Sequence, residues 1–401
     1  MKKKLLLLGG SRYLLPVIRT AHELGLYVIT CDYLPNNIAH KFSDEYVNAS
    51  VIDKERMLEV ARQLKIDGIM SFACDPGVVT AAYVAEKLGL PTSPYKSVEL
   101  LQNKGHFRNF LMENGFNVPK ACSYRTAKEA LAEADGFQWP VIVKPVDSAG
   151  SKGVKRVEKV EYLADAAENA LNYSISKEFI VEEFIEKTGF SSDTESFSIN
   201  GELVFCSFND QWFDPNANNP YTPSGFLWPS SLPDHTQQEL RSELQRLIKL
   251  LDMNTTIYNV ETRLGTNGKA YIMECSPRAG GNRLSELLKL ACGQNIIEAS
   301  INASLGLPIK KMTDPVYQGH WGEVILHSNV EGKLQNIVIN KEFAKNCITE
   351  LDLWVKPGDT VQSFSGANDT IGTAILHCDS RQELVYMLEN ADKLVKIEVE
   401  T

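Results

Sequence analysis

Four consecutive leucines, Leu5–Leu8, run into Gly9-Gly10. An amphipathic stretch, YLLPVIRTAHELG, follows and stops at Gly25, and LYVITCD is the next apolar run. The alternation continues through VIDKERMLEVARQLK, IDGIMSF and GVVTAAYVAEKLGLP before a turn at Pro91 and Pro94. Short apolar strands alternating with helical stretches of about 10–15 residues predict a parallel, doubly wound α/β sheet. Gly9-Gly10-Ser11 begins like a dinucleotide fingerprint but lacks the later glycines, so it reads as a tight strand-to-helix turn. The apolar run behind the N-terminal lysines is too short for a secretory signal core. Nothing approaches the roughly 20 apolar residues of a membrane span, so no membrane partner is expected.

The chain has 401 residues, enough for several packed units rather than one core. With 43% apolar and 23% charged residues it has a globular composition. A formal charge of -10 disfavours nucleic acid as the main partner while permitting local basic sites. The eight cysteines contain no C-x-x-C pair and the seven histidines no H-x-x-x-H. That spacing suggests neither zinc nor a disulfide framework, and points to a reducing, cytoplasmic setting.

After the parallel unit (residues 1–95) comes a helical connector (96–120) that exits through Pro119. Residues 121–187 read as a smaller α+β unit. From 188 to 310 the pattern turns antiparallel, with Asn200-Gly201 marking a hairpin in TESFSINGELVFCSF. The stretch DQWFDPNANNPYTPSGFLWPSSLP reads as a long loop, rich in Pro, Asn and aromatics. Residues 311–401 read as a closing α+β unit.

In VIVKPVDSAGSKGVKRV a strand carrying Lys144 enters a loop rich in Gly and Ser. Its spacing is not that of a P-loop. Gly150 and Gly153 permit close backbone approach to a polyphosphate, and Ser148 and Ser151 add hydroxyls. Taken alone, the loop equally suits a surface hairpin with solvated lysines. In NVETRLGTNGKAYIMECSPR, Glu261 and Glu274 sit on two strands joined by GTNGK, and Ser276 shares the face of Glu274. Two carboxylates and a hydroxyl suit Mg²⁺, a hard cation. Arg278 then precedes Gly280-Gly281 and a helix start, a second anion-binding feature. The alternative is a pair of exposed strand acids with Arg278 as their partner, although the flanks look buried. FIVEEFIEK is either an edge strand with solvated acids or the adenine side of a cleft.

The ordered set of Lys104, Lys144 with its glycine loop, EEFI, and Glu261, Glu274, Ser276, Arg278 resembles the ATP-grasp superfamily over about residues 1–310. The resemblance implies a multidomain α/β and α+β protein. Its parts would be a Rossmann-like domain (1–95), a two-part grasp (121–187 as lid, 188–310 with the metal site) and a C-terminal domain (311–401). It implies that Lys104 and Lys144 hold phosphates and that Ser148, Ser151 and Gly153 belong to a flap over ATP. Glu182, Glu183 and Ile185 would meet adenine. Glu261 and Glu274 would bind Mg²⁺, with Mn²⁺ able to stand in, and Arg278 with Lys144 would serve catalysis. Two departures stand out. Ser276 occupies the place of the usual Asn ligand, and the ribose acid is either Asp193 or Glu195. The C-terminal part resembles L-amino-acid ligases and biotin-carboxylase-like proteins. Arg263, Arg278, Trp212, Tyr221 and Trp228 are the substrate candidates, although packing also explains loop aromatics. The expected activity is ATP-dependent coupling of a small carboxylic acid, such as an amino acid, to an amine, in a protein compatible with homodimer formation. The alternatives are a nucleotide-binding sensor or scaffold without turnover, or an enzyme like biotin carboxylase or carbamoyl-phosphate synthase.

Overall fold

A computed structural model describes residues 2–148, 150–340 and 347–400. Strands β1 (Lys4–Leu8), β2 (Tyr27–Asp32), β3 (Glu45–Asn48) and β4 (Gly68–Ser71) form a parallel sheet in the order β3-β2-β1-β4. Leu6 and Leu8 pack into one core with Ile29 and Val60, while Leu5 and Leu7 pack into another with Val17 and Ile18. Both faces are covered by apolar groups, which is why β1 reads as an unbroken leucine run rather than an alternation. Gly68 on β4 is forced by packing: a Cβ there would stand 2.6 Å from the Ser304 carbonyl oxygen of helix Ile296–Ser304.

Strands β5 (Ala121–Tyr124), β6 (Val141–Pro145), β7 (Lys155–Val157) and β8 (Phe179–Glu183) form an antiparallel sheet ordered β5-β8-β6-β7. Val141 and Val143 of β6 are buried with helix Leu163–Tyr173, so the period-two alternation sends Lys144 to the other face.

Next come β9 (Ser192–Ile199), β10 (Glu202–Ser207), β11 (Asp210–Phe213), β12 (Pro223–Trp228), β13 (Thr256–Leu264) and β14 (Ala270–Ser276). Four of them form the antiparallel sheet β10-β9-β13-β14, backed by helix Asp234–Leu250. Asn200 (φ 50°) and Gly201 (φ 79°) are both left-handed, as the tight β9–β10 hairpin requires.

The remaining strands are β15 (His320–Leu326), β16 (Gly332–Ile339), β17 (Ile348–Leu353), β18 (Thr360–Val361), β19 (Gly372–Cys378) and β20 (Val395–Glu400). A five-stranded sheet runs β11-β12-β15-β19-β17, and β18-β16-β20 make a small one. The stretch 210–228, expected as a loop, therefore supplies two strands, β11 and β12, that pair with the C-terminal part of the chain. Their partner β15 lies some hundred residues on, so no local hairpin signal marked them. Among the described residues, no helix is long and apolar enough to cross a membrane.

Glu323 of β15 is fully buried. One carboxylate oxygen accepts the Arg283 N–H at 3.1 Å and the other has no hydrogen-bond partner. Burial pushes its carboxyl from 4.5 up to about 8, only partly offset by the Arg283 guanidinium. The folded state thus binds the proton more tightly than the unfolded chain. The stability this contributes is complete below about pH 4.5 and is lost as pH rises to about 8. Glu323→Gln should therefore gain melting temperature relative to the parent across that window. Parallel melting curves for the two proteins would show the group to be solvated.

Candidate active site

The β13–β14 register sets Asn259 opposite Ser276 and Glu261 opposite Glu274. The β13–β9 register adds Glu195 opposite Asn259 and Asp193 opposite Glu261. Directly paired residues share a face, so six polar side chains line one surface of this sheet. Val260 and Cys275, between them, point into the core beneath. Glu261 and Glu274 retain 35% and 33% side-chain exposure, whereas Glu195 and Ser276 are buried. The two opposed glutamates are therefore open carboxylates, while half-buried Asp193 and Asn259 are bonded to each other, and Asn259 also to Arg278. Two open carboxylates side by side fit a hard divalent cation that shares its remaining sites with phosphate and water.

Cations close in from two directions. Lys104 begins helix Lys104–Glu113, and its Nζ lies 3.3 Å from Glu274 Oε1 and 3.0 Å from the Ser148 carbonyl oxygen. Four residues along the same helix, Arg108 reaches Glu182 Oε1 with Nε at 2.9 Å and donates to the Met273 carbonyl at 2.6 Å. Lys144 meets the other oxygen of Glu182 at 2.9 Å. Burial alone would raise the Glu182 carboxyl, but Arg108 and Lys144 outweigh it and hold it at about 2. Burial lowers Lys144, with Glu182 offsetting part of that shift.

Glu182, expected at adenine, is fully buried and pairs with Lys144. The N–H of Glu183 is committed to the Lys120 carbonyl at 2.9 Å, so that donor is not free for a base. The Ile185 carbonyl accepts from Arg263 at 3.3 Å, and Arg263 also reaches Glu261 at 3.3 Å. Arg263 thus links the segment after β8 to Glu261.

The glycine loop lies against 214–222. Ser151 (φ 58°) donates its hydroxyl to the Tyr221 carbonyl at 3.1 Å, and Asn219 Nδ2 donates to the Ser151 carbonyl at 3.3 Å. Gly153 (φ 74°) is required twice over, since a Cβ would come within 2.9 Å of Pro145 and 3.0 Å of Tyr173. Ala149, at the loop's centre, lies outside the described residues.

Arg278 is held by a partner that the sequence reading missed. Its Nε and NH2 form a bidentate pair with Asp75 at 2.8 and 2.7 Å, while NH1 donates to Asn259 and to the Ala279 carbonyl. Burial alone would raise the Asp75 carboxyl, but Arg278 outweighs it and keeps it below the usual range. Asp75 opens helix Asp75–Leu88 just past the carboxyl end of β4, the rim where α/β sheets place ligands, and that position was its available signal. Arg108 could have been found from its four-residue spacing to Lys104, and Asn259 from its two-residue spacing to Glu261.

Several expected roles change. The Ser276 hydroxyl donates to Asp75 at 3.2 Å and accepts from Gln102 at 3.1 Å, so it is already committed within the protein. Glu195 accepts the Gly280 N–H at 2.6 Å and the Ser285 hydroxyl at 2.9 Å. Fully buried, it shapes the Gly280 turn and is closed to a ribose. Asp193 accepts from Asn259 at 2.6 Å, and burial, reinforced by the charge of Glu195, pushes it up to about 7. Trp228, expected at the substrate, is fully buried, and its indole N–H donates to Ser207 at 2.9 Å. Trp212 stacks on Phe190 with ring centroids 5.6 Å apart.

Residues 137–286 match the ATP-grasp domain family. This chain contains an ATP-grasp domain. The matched span begins just before β6, takes in the glycine loop, Glu182 and the paired glutamates, and ends past Arg278. Over 314 residues, 76% of the chain and 77% of the relative, it is 29% identical to a formate-dependent phosphoribosylglycinamide formyltransferase from Synechococcus sp. (strain WH7803). The structure of L-amino acid ligase from Bacillus licheniformis matches with a TM-score of 0.82 at 22% identity, covering 100% of this chain and 99% of that one. The biotin carboxylase domain of Hydrogenobacter thermophilus 2-oxoglutarate carboxylase, solved with MgADP, ADP and bicarbonate, matches with a TM-score of 0.74 at 17% identity, covering 100% and 91%. These structures share the ATP-grasp fold with this chain.

Replacing Glu182 by Gln would leave Arg108 and Lys144 as uncompensated buried cations. The expected cost is about 3–5 kcal/mol in chemical denaturation, together with weakened ATP binding. A loss within experimental error would mean that the triad is solvated rather than buried.

Proposed function

We propose that the chain is an ATP-dependent carboxylate–amine ligase. The observation that carries this reading is the opposed pair Glu261–Glu274, with Lys104 in contact with Glu274 and Lys144 set beneath the glycine loop. Lys104, Lys144 and the Ser148–Gly153 loop would hold the phosphates of ATP, and Glu261 with Glu274 would hold Mg²⁺. When bound, Mg²⁺ neutralises charge on the phosphates.

In the proposed reaction a carboxylate oxygen attacks the γ-phosphorus and ADP leaves, giving an acyl phosphate. An amine nitrogen then attacks the carbonyl carbon, inorganic phosphate leaves and the nitrogen loses a proton. Such transfers rest on positioning and charge neutralisation more than on covalent help from the protein. Lys104 and Lys144 supply the charge. Arg263 orients Glu261, and Asp75 holds Arg278 beside the Gly280–Gly281 turn. A small acid, such as an amino acid, is the favoured first substrate. A nucleotide binder without turnover is the second reading, and Ser276 favours it, because its committed hydroxyl leaves the metal with two protein carboxylates.

Phosphate release measured across a panel of amino acids tests both. Turnover that rises with a particular acid, with a mass-detected amide product, is expected. Tight ATP binding with no acid-dependent turnover would favour the second reading. Glu274→Ala should abolish turnover while leaving circular dichroism unchanged, and activity within a few-fold of the parent would overturn the metal assignment.

A further inference from the structure

Residues 150–153 of the glycine loop are fastened to the C-terminal part of the chain, and one side chain joins the pieces. The two amide hydrogens of Asn219 go to the Ser151 carbonyl at 3.3 Å and to the Ser365 carbonyl at 3.2 Å, while its Oδ1 accepts the Tyr221 N–H at 3.1 Å. Turning the amide over would set an oxygen against two carbonyls, so its partners fix this orientation. The Asn219 main-chain N–H donates to the Phe364 carbonyl at 3.3 Å. Asn218 and Thr222 add bonds to Ser365 at 2.8 and 3.1 Å. The turn 363–366, just after β18, also touches the loop directly: a Cβ on Gly366 would stand 3.5 Å from the Gly150 carbonyl oxygen. The near end of the bracket 214–222 is pinned to β15. Asp214 accepts the Asn216 N–H and the Asn329 amide, both at 2.8 Å, and lies 3.1 Å from His327 Nε2. His327 in turn stacks on Phe364, with ring centroids 4.1 Å apart, so the bracket and the turn are set by the same residues.

A glycine-rich loop that is free in solvent loses its conformational freedom on closing around phosphates, and that loss weakens binding. A loop held in its bound shape beforehand escapes most of the penalty, because apparent affinity scales with the fraction of molecules already competent. We infer that Asn219 is a positioning residue for the nucleotide: it ties Ser151 to the turn after β18 and so keeps the loop formed before the phosphates arrive. The turn lies outside residues 137–286, the matched ATP-grasp span, so nucleotide affinity is set in part by the C-terminal unit. The inference rests on the reading that this loop holds the phosphates, and is independent of which acid and amine are joined.

The test reads binding and loop opening without turnover. Equilibrium affinities for ADP with Mg²⁺ and for adenosine are measured on the full chain. Trypsin cleavage after Lys152, an exposed residue of the loop, is followed by mass without nucleotide. Asn219→Ala should weaken ADP about tenfold, the loss of the bridging donor, and leave adenosine, which has no phosphate, within about twofold. Cleavage after Lys152 should rise about tenfold while cleavage elsewhere stays as in the parent, because proteolysis follows the open population. Asn219→Asp keeps the size and the oxygen facing Tyr221 and loses only the donor. It should show at least the same changes, and it carries the test if the alanine variant folds poorly. ADP affinity and Lys152 cleavage within twofold of the parent in both variants would overturn the inference. Equal weakening of ADP and adenosine would overturn it too, marking Asn219 as a support of the whole cleft. Faster cleavage with unchanged ADP affinity would overturn the positioning role. A parent that binds ADP but gives no acid-dependent turnover would overturn the ligase reading and leave the role of Asn219 standing.

Discussion

One fully buried carboxylate, Glu182, stands between two cations, Arg108 and Lys144. Charges taken out of water are tolerable only when paired and hydrogen-bonded, so the three groups must arrive together or not at all. They come from different places: β8, helix Lys104–Glu113 and β6. Arg108 also grips the Met273 carbonyl on β14, one residue before Glu274. The sheet β5-β8-β6-β7, helix Lys104–Glu113 and β14 are thereby locked in one arrangement. Because Lys104 lies one helical turn from Arg108, the same lock sets its ammonium against Glu274. Two cations around one anion leave an excess positive charge at this junction.

A second joint ties the N-terminal parallel sheet to this centre. Asp75 sits just beyond β4 at the start of a helix, and its bidentate pair with Arg278 crosses from that sheet to the turn after β14. Arg278 is thus aimed by a residue two hundred positions earlier in the chain. Glu195 performs a similar service from beneath, gathering the Gly280 N–H and the Ser285 hydroxyl. The turn after β14 is therefore held from two sides, by the half-buried Asp75 and the fully buried Glu195.

The parallel sheet and the Asn200-Gly201 hairpin were legible because each follows from a local rule. Leucine runs mark a strand covered on both faces, and two left-handed residues mark a tight hairpin. By contrast, three residues before GTNGK and four after it bring Glu261 level with Glu274 only through the register shift between Glu261 and Thr262. Strands β11 and β12 were not legible, since their apolar residues are matched only by β15 some hundred residues later. Ser276 shows the same limit at the level of one atom. Its face followed from the period of two, but its hydroxyl is engaged by Gln102 and Asp75, which no local pattern ties to it.

Periodicity and turn chemistry within a few residues dictate which side chains share a face, and that much is written in the order of the amino acids. Which of those side chains stays open is settled only when distant elements dock. Glu261 and Glu274 remain accessible, whereas Glu182, Glu195 and Trp228 are closed off by partners from elsewhere in the chain. The reason is desolvation: a polar group that loses water must find a hydrogen-bonding partner, and for these residues the partner comes from another strand or helix. Folding thus divides the same inventory of acids and aromatics into those that hold the site and those that face what binds there.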